Sequence, residues 1–370
     1  MIEVRGVNTH NKGAHLMMLA VAEAMREHSS LTMSPNGADF TERARAGYAQ
    51  TFLLNQSPTA TRLIGDALPA GVKRAFGLVS DREISGVLDA AGFAYSDSFP
   101  ATRSQREAGH VKRWRSQEKP VVFLPQAFGP FERSDQRKWS RALLENASII
   151  FARDRISLRH LEDLGVANNA RVAPDFTVGL DVGLIPAQFT EPFGAIVPNE
   201  KLVTQGKISE EDYVAALVEV ARGMRKSGLR PVIVVHEFND RQIGQKVAER
   251  ASATFFTHSN PLVLKRVLGD AQFAVASRFH AIVSALALAT PVAAFGWSHK
   301  YEELMRDFGV PDWLMGDAGT LASATEMLGS TTDAELNSLR SRVNDVKASN
   351  AQMWADVRAM MAPSRVTCDQ

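Results

Sequence analysis

The sequence predicts an α/β fold in which parallel strands alternate with helices in two successive domains. Short apolar runs of strand type recur along the chain, and amphipathic helical stretches separate them. Polar residues stand where such a run ends, at Asn8, Gln126, Arg153 and Asp175. The proline-containing residues 181–192 interrupt the pattern, which then restarts, so we interpret them as a linker.

Composition limits the class of protein. A chain of 370 residues has the size of two domains, and 45% hydrophobic residues are enough for large cores. A net charge of +1 argues against binding to nucleic acid through bulk charge. The single cysteine, Cys368, excludes a disulfide framework and a cysteine metal site. Because the N-terminus starts at once as a strand, we expect no signal peptide and a cytoplasmic location.

The chain opens with a strand at residues 2–7, a loop at 8–13 and a helix at 14–28. Small and polar residues in a first strand-to-helix loop let backbone amides approach a ligand, although an ordinary tight turn explains them equally well. The loop lacks the GxGxxG pattern, so a dinucleotide is not indicated.

Two further stretches of the first half leave alternatives open. Residues 82–91 favour a helix, and the loop after them contains Asp97, either a turn or capping residue or a site carboxylate. Residues 103–119 form a basic helix, whose charge is either a solvated face or a peripheral contact with lipid phosphates at the inner face of a membrane. The remaining strands of this half are predicted at residues 121–125, 149–152 and 171–173, with helices at 133–146 and 157–164.

The second half repeats the alternation of strands and helices. Its strands are predicted at residues 194–198, 231–235, 273–277 and 292–295, with helices at 210–226, 240–251, 262–268, 281–289 and 301–308. A long polar helix or helix pair at residues 332–361 is expected to cross back onto the first domain.

The stretch at residues 273–300 carries the most specific site prediction. A short strand ends at Ser277, Arg278-Phe279-His280 follow, and an apolar helix then begins. We expect Ser277 to cap this helix, so that its first amides, with Arg278 and His280, form a site for an anion. The alternative is an arginine that reaches solvent from a strand end and a histidine satisfied in the core. The position at the carboxyl end of a strand favours the anion site.

Two open sheets in one chain place their strand ends across a cleft, where polar residues from both halves face one ligand. We expect Arg153 from the first half and Arg278 from the second to hold a small dianionic or trianionic ligand. Guanidinium groups suit carboxylate and phosphate alike. The sequence has no histidines and carboxylates at metal-ligand spacing, so no metal is predicted.

Several phrases together resemble the polysaccharide pyruvyl transferase family, from the first strand to about residue 309. They are RGVNTHNKGAHLMMLA, LDAAGFAYSD, PQAFGPF, FARDRISLRHLEDLG, APDFT and SRFHAIVSALALATPVAAFGWSHKYEELMRDFG. The resemblance implies two Rossmann-like domains facing across a cleft in a GT-B-like fold. We expect them at residues 1–185 and 186–335, with a C-terminal helix and tail at 336–370.

The resemblance also implies an activity: transfer of pyruvyl from phosphoenolpyruvate to a hydroxyl pair of a polysaccharide precursor, which forms a ketal and releases phosphate. Arg153, Arg278 and His280 match the donor-binding positions of the family, with Phe279 between the last two. His280 is expected to act as the acid. Asp175 is expected either to activate the hydroxyl or to cap a helix. Other positions that recur in the motifs of the family are Asn11, Gly13, Asp97, Gln126, Asp175 and Lys300.

The expected partners are phosphoenolpyruvate and a lipid-linked or nucleotide-linked saccharide, without a cofactor and without nucleic acid. One alternative is a GT-B glycosyltransferase that uses a nucleotide sugar. Another is a sugar-binding protein without turnover, since a family resemblance alone does not establish catalysis.

Overall fold

The structure, a computed structural model, describes residues 1–53, 58–296 and 298–362, without the side chain of Pro58. Trp297 of the motif and Cys368 of the tail lie outside the described residues.

The chain divides into two compact units. The first unit comprises Met1–His10, Met17–Phe176 and Ser349–Gln370, and the second unit comprises Asn11–Leu16 and Thr177–Ala348. The boundary after Phe176 precedes the predicted one at residues 185 and 186, and the first helix is shared between the units.

Within the described residues, the first unit contains a nine-stranded parallel sheet. Its strands are β1 (Ile2–Arg5), β2 (Leu31–Met33), β3 (Tyr48–Thr51), β4 (Leu78–Val79), β5 (Gly86–Asp89), β6 (Phe93–Tyr95), β7 (Val121–Phe128), β8 (Ile149–Ala152) and β9 (Ala170–Val172). The helices of this half are α1 (Lys12–Met25), α2 (Phe40–Arg45), α3 (Pro58–Ala67), α4 (Ala70–Phe76), α5 (Ala101–Ser116), α6 (Ser134–Leu144) and α7 (Arg155–Leu164).

The described part of the second unit contains a six-stranded parallel sheet. Its strands are β10 (Phe193–Val197), β11 (Arg230–Val235), β12 (Thr254–Thr257), β13 (Ala274–Ala276), β14 (Val292–Phe295) and β15 (Leu314–Met315). The helices are α8 (Lys201–Thr204), α9 (Glu210–Lys226), α10 (Arg241–Arg250), α11 (Pro261–Asp270), α12 (Phe279–Ala287), α13 (His299–Asp307), α14 (Ala318–Ala322), α15 (Ala324–Gly329) and α16 (Asp333–Met361).

In each sheet, the strand that comes first in the chain, β1 or β10, lies in the interior of the sheet. The strand order runs in opposite directions on the two sides of this strand. The order is β4-β3-β2-β1-β5-β7-β8-β9 in the first unit, with the ninth strand, β6, paired with β7 outside this path. The order is β12-β11-β10-β13-β14-β15 in the second unit. In open α/β sheets, ligands bind outside the carboxyl ends of the strands at such a switch point. The switch points lie between β1 and β5 and between β10 and β13. The prediction of two Rossmann-like α/β domains is therefore confirmed.

Two sequence predictions in the first unit were wrong. Residues 82–91, predicted as a helix, contain the buried strand β5. A parallel strand covered on both faces has a continuous apolar run rather than an alternating one, so its period does not distinguish it from a helix. Gln126, predicted to begin a loop, lies inside β7, whose ladder with β8 shifts between Phe123 and Gln126. Pro125, which has no amide hydrogen, stands at this shift.

The C-terminal helix returns to the first domain as predicted. α16 is one helix of 29 residues, and residues 349–361 belong to the first unit. There the Trp354 ring packs edge-on against Phe176, with their centroids 5.9 Å apart, and Arg358 donates to the carbonyl of Ala24. No helix in the described ranges combines the length and apolar character that a membrane span needs.

Candidate functional site

At the switch point of the second unit, hydrogen bonds join the ends of β10 and β13. Asn199 Nδ2 donates to the carbonyl of Ser277 at 2.8 Å, and the Ser277 amide donates to the carbonyl of Val197 at 3.0 Å. Ser277 was predicted to cap α12, which is wrong: Arg278 holds the N-cap position, and the Tyr213 hydroxyl binds Ser277 Oγ at 2.9 Å. The chain therefore leaves β13 in one defined geometry and begins α12 directly at the site.

Arg278 is held by a buried carboxylate. Its Nε donates to Asp240 Oδ2 at 2.8 Å and its Nη2 donates to Oδ1, while Asp240 also accepts from the Glu200 amide. Burial alone would lower the pKa of Arg278, but the hydrogen bonds and charge of Asp240 outweigh it and the pKa is raised. Because both bonds use the Nε–Nη2 edge, Asp240 orients the guanidinium without engaging Nη1.

His280 lies against Gly13, far from it in sequence. A Cβ atom built on Gly13 would lie 2.3 Å from His280 Nδ1 and 2.8 Å from Cε1. No real Cβ contact is that close, so a glycine is required for the imidazole to approach the first turn of α1. The ring of Phe279 meets the imidazole edge-on, with 5.4 Å between their centroids.

The first turn of α1 is tied to the loops after β11 and β12. The Lys12 amide donates to Glu237 Oε1 at 2.9 Å, and Lys12 Nζ donates to the carbonyl of Ser259 at 2.5 Å. Asn11 Oδ1 accepts from the Ala14 amide at 3.0 Å and so caps the helix. Burial raises the pKa of Glu237, although Arg278 and the Lys12 amide act in the opposite direction.

His236 follows β11 directly and is the most deeply buried histidine of this region, with 2% of its surface exposed. Burial, followed by the positive charges of His280, Arg278 and Lys12, lowers the pKa of His236 to about 3. The imidazole is therefore neutral at pH 7.

Lys300 lies beside the aromatic residues of the same site. Its Nζ is 5.5 Å from the centroid of the Phe279 ring and 5.2 Å from that of Tyr301. Tyr301 in turn donates from its hydroxyl to the carbonyl of Ser277. Phe279 thus meets the rings of His280 and Tyr301 edge-on and has the Lys300 ammonium over its own ring.

In the first unit, Arg153 and Asp175 form a buried pair. Arg153 Nη1 lies 3.5 Å from Asp175 Oδ2, and both side chains are almost inaccessible to solvent. The next residue, Asp154, caps α7 by accepting from the Ser157 amide at 2.6 Å. Asp175 is therefore a partner of Arg153.

A second buried carboxylate, Asp89, stands at the switch point of the first unit. It accepts from the Tyr95 hydroxyl at 2.7 Å, from Gln126 Nε2 at 3.1 Å and from the Ala91 amide at 3.1 Å. Burial raises the pKa of Asp89, in spite of these hydrogen bonds. A carboxyl group with a raised pKa at a ligand-binding edge is a candidate acid or base.

Asp97 serves a turn. Its carboxylate accepts from the amides of Glu132 at 2.6 Å and Arg133 at 3.3 Å, and its own amide donates to the carbonyl of Pro130 at 3.0 Å. These bonds agree with the first alternative for Asp97, a turn or capping residue, rather than with a site carboxylate.

The structure groups the predicted residues by unit. Asn11, Gly13, Arg278, Phe279, His280 and Lys300 belong to the second unit, whereas Asp97, Gln126, Arg153 and Asp175 belong to the first. The prediction that Arg153 and Arg278 share one ligand stays a prediction.

Sequence reasoning did not single out His236, Glu237, Asp240 and Asp89 as candidate site residues. The first two directly follow an apolar strand, so the rule of polar residues at strand ends could have found them. Asp89 was missed because its strand was predicted as a helix. Among the described residues, no cluster of three or more histidine, cysteine, aspartate or glutamate side chains is arranged to hold a metal ion.

Comparison with solved structures relates this fold to known proteins. The UDP-GlcNAc 2-epimerase from Neisseria meningitidis bound to UDP-GlcNAc superposes with a TM-score of 0.60 at 12% identity, over 96% of this chain and 99% of that one. A glycosyltransferase from Rickettsia africae ESF-5 superposes with a TM-score of 0.61 at 11% identity, over 97% of both chains. At such identities the likeness concerns the fold alone, which is GT-B-like.

Comparison with protein families is more specific. The sequence model of the polysaccharide pyruvyl transferase family matches residues 11–299. Of the strands that form the two switch points, β5, β10 and β13 lie within this range and β1 precedes it. The matched range contains the first turn of α1, the Arg153–Asp175 pair and the whole start of α12. On this match, the chain belongs to the polysaccharide pyruvyl transferase family.

Proposed function

We propose that this protein is a cytoplasmic enzyme that transfers pyruvyl from phosphoenolpyruvate to a hydroxyl pair of a lipid-linked or nucleotide-linked saccharide, forming a pyruvate ketal. Membership of the family supports the transferase class and a saccharide acceptor. One observation carries the assignment of the donor. Arg278 and His280 lie together in the first turn of α12, at the ligand-binding edge of the second sheet.

This edge suits the donor electrostatically. Phosphoenolpyruvate has a carboxylate and a phosphate, and a helix N-terminus with adjacent cations favours both. Arg278 is oriented by Asp240, and His280 is held against α1 by the absence of a side chain at Gly13. Preorganised cations of this kind lose little entropy when an anion binds.

The reaction assigns one task to each group. C3 of the enol takes a proton, two hydroxyl oxygens bond to C2, and the bond between C2 and the phosphate oxygen breaks. One hydroxyl proton balances the proton on C3 and the other leaves with the phosphate. His280 supplies the proton as general acid. For the carboxylate that activates the hydroxyl, we propose Asp175, the candidate named from the sequence.

The donor is tested by thermal unfolding with millimolar phosphoenolpyruvate. Phosphoenolpyruvate should raise the melting temperature of the protein, and Arg278→Ala should abolish that shift because the oriented guanidinium is lost. Arg225→Ala is the matched control, since Arg225 is an exposed arginine of the same unit. No shift in the unaltered protein would exclude the donor. A shift with uridine diphosphate instead would favour the nucleotide-sugar glycosyltransferase. Phosphate release and product mass with a panel of saccharides then identify the acceptor.

We propose that a peripheral membrane contact uses a surface other than the basic helix α5. In α5, Arg113 forms two hydrogen bonds with Asp81, and Arg106 pairs with Glu107. These carboxylates neutralise part of the basic charge. We therefore assign the contact to another part of the first unit.

α3 and α4 expose apolar side chains beside basic ones. Leu63 is 61% exposed, Ile64 48% and Phe76 68%, and Arg62 and Arg74 belong to the same two helices. Apolar side chains that enter the interface, with arginines that meet anionic headgroups, are typical of peripheral membrane binding. We infer that these helices contact an anionic lipid surface.

Sedimentation with vesicles tests this contact. We expect the protein to bind anionic vesicles more strongly than neutral ones, and the double variant Leu63→Ser with Phe76→Ser to bind less than one-tenth as well. Leu184→Ser is the control, because Leu184 is a 96% exposed leucine of the second unit. Equal binding by the double variant and the unaltered protein would refute the assignment.

A further inference from the structure

His236 contains a buried polar atom whose purpose the fold alone does not explain. The residue stands directly after β11, beside the central strand β10 of the second sheet. In the part of the chain that the structure describes, its Nε2 is buried and has no hydrogen-bond partner. Such an atom destabilises the folded state, and a native protein that retains one usually has a functional reason.

The surroundings of His236 are cationic. Lys12, Arg278 and His280 are the groups whose positive charges act on its imidazole. They come from α1 and α12, two helices of 14 and 9 residues whose first turns meet where His280 packs against Gly13. Two helix N-termini and three side-chain cations thus adjoin one neutral buried donor.

The nearby carboxylates are already engaged. Asp240 binds the guanidinium of Arg278, and Glu237 accepts from the Lys12 amide. These carboxylates offset part of the cationic charge in the free protein and position the groups that remain. A phosphate would supply the acceptor that the His236 Nε2 position lacks.

We propose that His236 is a phosphate-contacting residue of the second unit and donates Nε2–H to an oxygen of a phosphate group beside Lys12, Arg278 and His280. A neutral donor satisfies this oxygen without adding another buried positive charge to the three already present. The subsite takes either a phosphate monoester or inorganic phosphate. That the ester is phosphoenolpyruvate rests on the proposed function.

Calorimetric titration of the full-length protein with inorganic phosphate tests the contact. His236→Phe should weaken phosphate binding by about 10-fold to 100-fold, the range for a lost hydrogen bond to a charged group. His236→Gln, which keeps an N–H donor, should lose less than about tenfold. His110→Gln should leave the affinity unchanged, because His110 is a partly buried histidine of the first unit that stacks on Trp114.

Parallel titrations with phosphoenolpyruvate separate this inference from the proposed function. If phosphate binding depends on His236 while phosphoenolpyruvate neither binds nor reacts, the subsite stands and the donor is wrong. A folded His236→Phe protein that binds phosphate as tightly as the unaltered protein overturns the inference, even if phosphoenolpyruvate is turned over. Should His236→Phe fail to fold, ring ¹⁵N NMR of the unaltered protein decides. A shift of the His236 Nε2 resonance on adding phosphate supports the contact, and an unchanged resonance overturns it.

Discussion

Gly13 shows how one missing side chain determines the geometry of the site. Its Cα lies so close to the imidazole of His280 that any Cβ would overlap three ring atoms, and the nearest would be 2.3 Å away. The glycine is not needed for an unusual backbone angle, since no positive φ is recorded for it. Its function is steric: it allows the first turns of α1 and α12 to come together.

Gly13→Ala should displace the His280 ring. On the proposed function His280 is the general acid, and a catalytic group misplaced by about 1 Å can cost about 100-fold in rate. We therefore expect kcat/KM for phosphoenolpyruvate to fall by about 10-fold to 100-fold. The measurement is steady-state phosphate release. Gly109→Ala is the control, because nothing lies within 4 Å of a Cβ at that helix position. Full activity in Gly13→Ala would mean that the ring position does not matter.

The Arg278–Asp240 pair illustrates a buried charge kept for orientation. Asp240 is completely buried, and a buried ion pair contributes little net stability because its desolvation is costly. Its value here is geometric, since a guanidinium held on two atoms presents the remaining edge in a fixed direction. The pair therefore fixes the geometry of the candidate site more than it stabilises the fold.

At the scale of elements, α16 joins two cores in sequence. Its earlier residues belong to the second unit, where Leu339 and Val343 are part of the hydrophobic core, and residues 349–361 belong to the first. Trp354 is 5% exposed and packs on Phe176. The last turns of the helix are thus part of the core of the first unit.

Trp354→Ala should lower the free energy of unfolding by about 3–5 kcal/mol, because it removes a large buried aromatic side chain and leaves a cavity. Urea unfolding followed by circular dichroism measures the change. Met360→Ala, at a 39% exposed position of the same helix, is the control and should cost far less. A loss below about 1 kcal/mol for Trp354→Ala would indicate that the helix end does not contribute to this core.

At the scale of the whole molecule, buried histidines couple stability to pH. The pKa of His236 is lowered from 6.5 to about 3 and that of His15 to about 4, in both cases chiefly by burial. Below pH 6.5 the unfolded chain binds protons at these residues and the folded protein does not. Their contribution to the free energy of unfolding is therefore complete above pH 6.5 and falls as the pH falls toward 3. Buried carboxyls with raised pKa, such as Asp89, act in the opposite direction.

Comparison of two proteins isolates the histidine contribution. Between pH 7 and pH 5, His236 should account for a loss of about 2 kcal/mol in the free energy of unfolding. His236→Phe should lack that part of the loss. As the pH falls, the free energy of unfolding of the variant should therefore decrease less than that of the unaltered protein. Urea unfolding at pH 7, 6 and 5 measures it. Parallel pH profiles for the two proteins would contradict the lowered pKa.

The sequence by itself determined the fold class, most of the strands and helices, the return of α16 and the family. These features depend on local patterns: apolar runs, polar residues at strand ends, and phrases such as SRFH that remain contiguous in the chain. Where the pattern was ambiguous, the prediction failed. The strand β5 was predicted as a helix because both of its faces are covered, so its sequence does not alternate between apolar and polar residues. The strand β7 was predicted to end too early because Pro125 stands within it.

Only the tertiary structure decided which of these residues act together. Three pairs are distant in sequence: Gly13 and His280, Arg278 and Asp240, and Asp89 and Gln126. Each pair meets because the order of the parallel strands brings particular strands and helix starts next to one another. Burial, which makes His236 neutral and gives Asp89 a raised pKa, is likewise a property of the packed chain. A linear sequence specifies the side chains, but their distances and their dielectric surroundings exist only after folding.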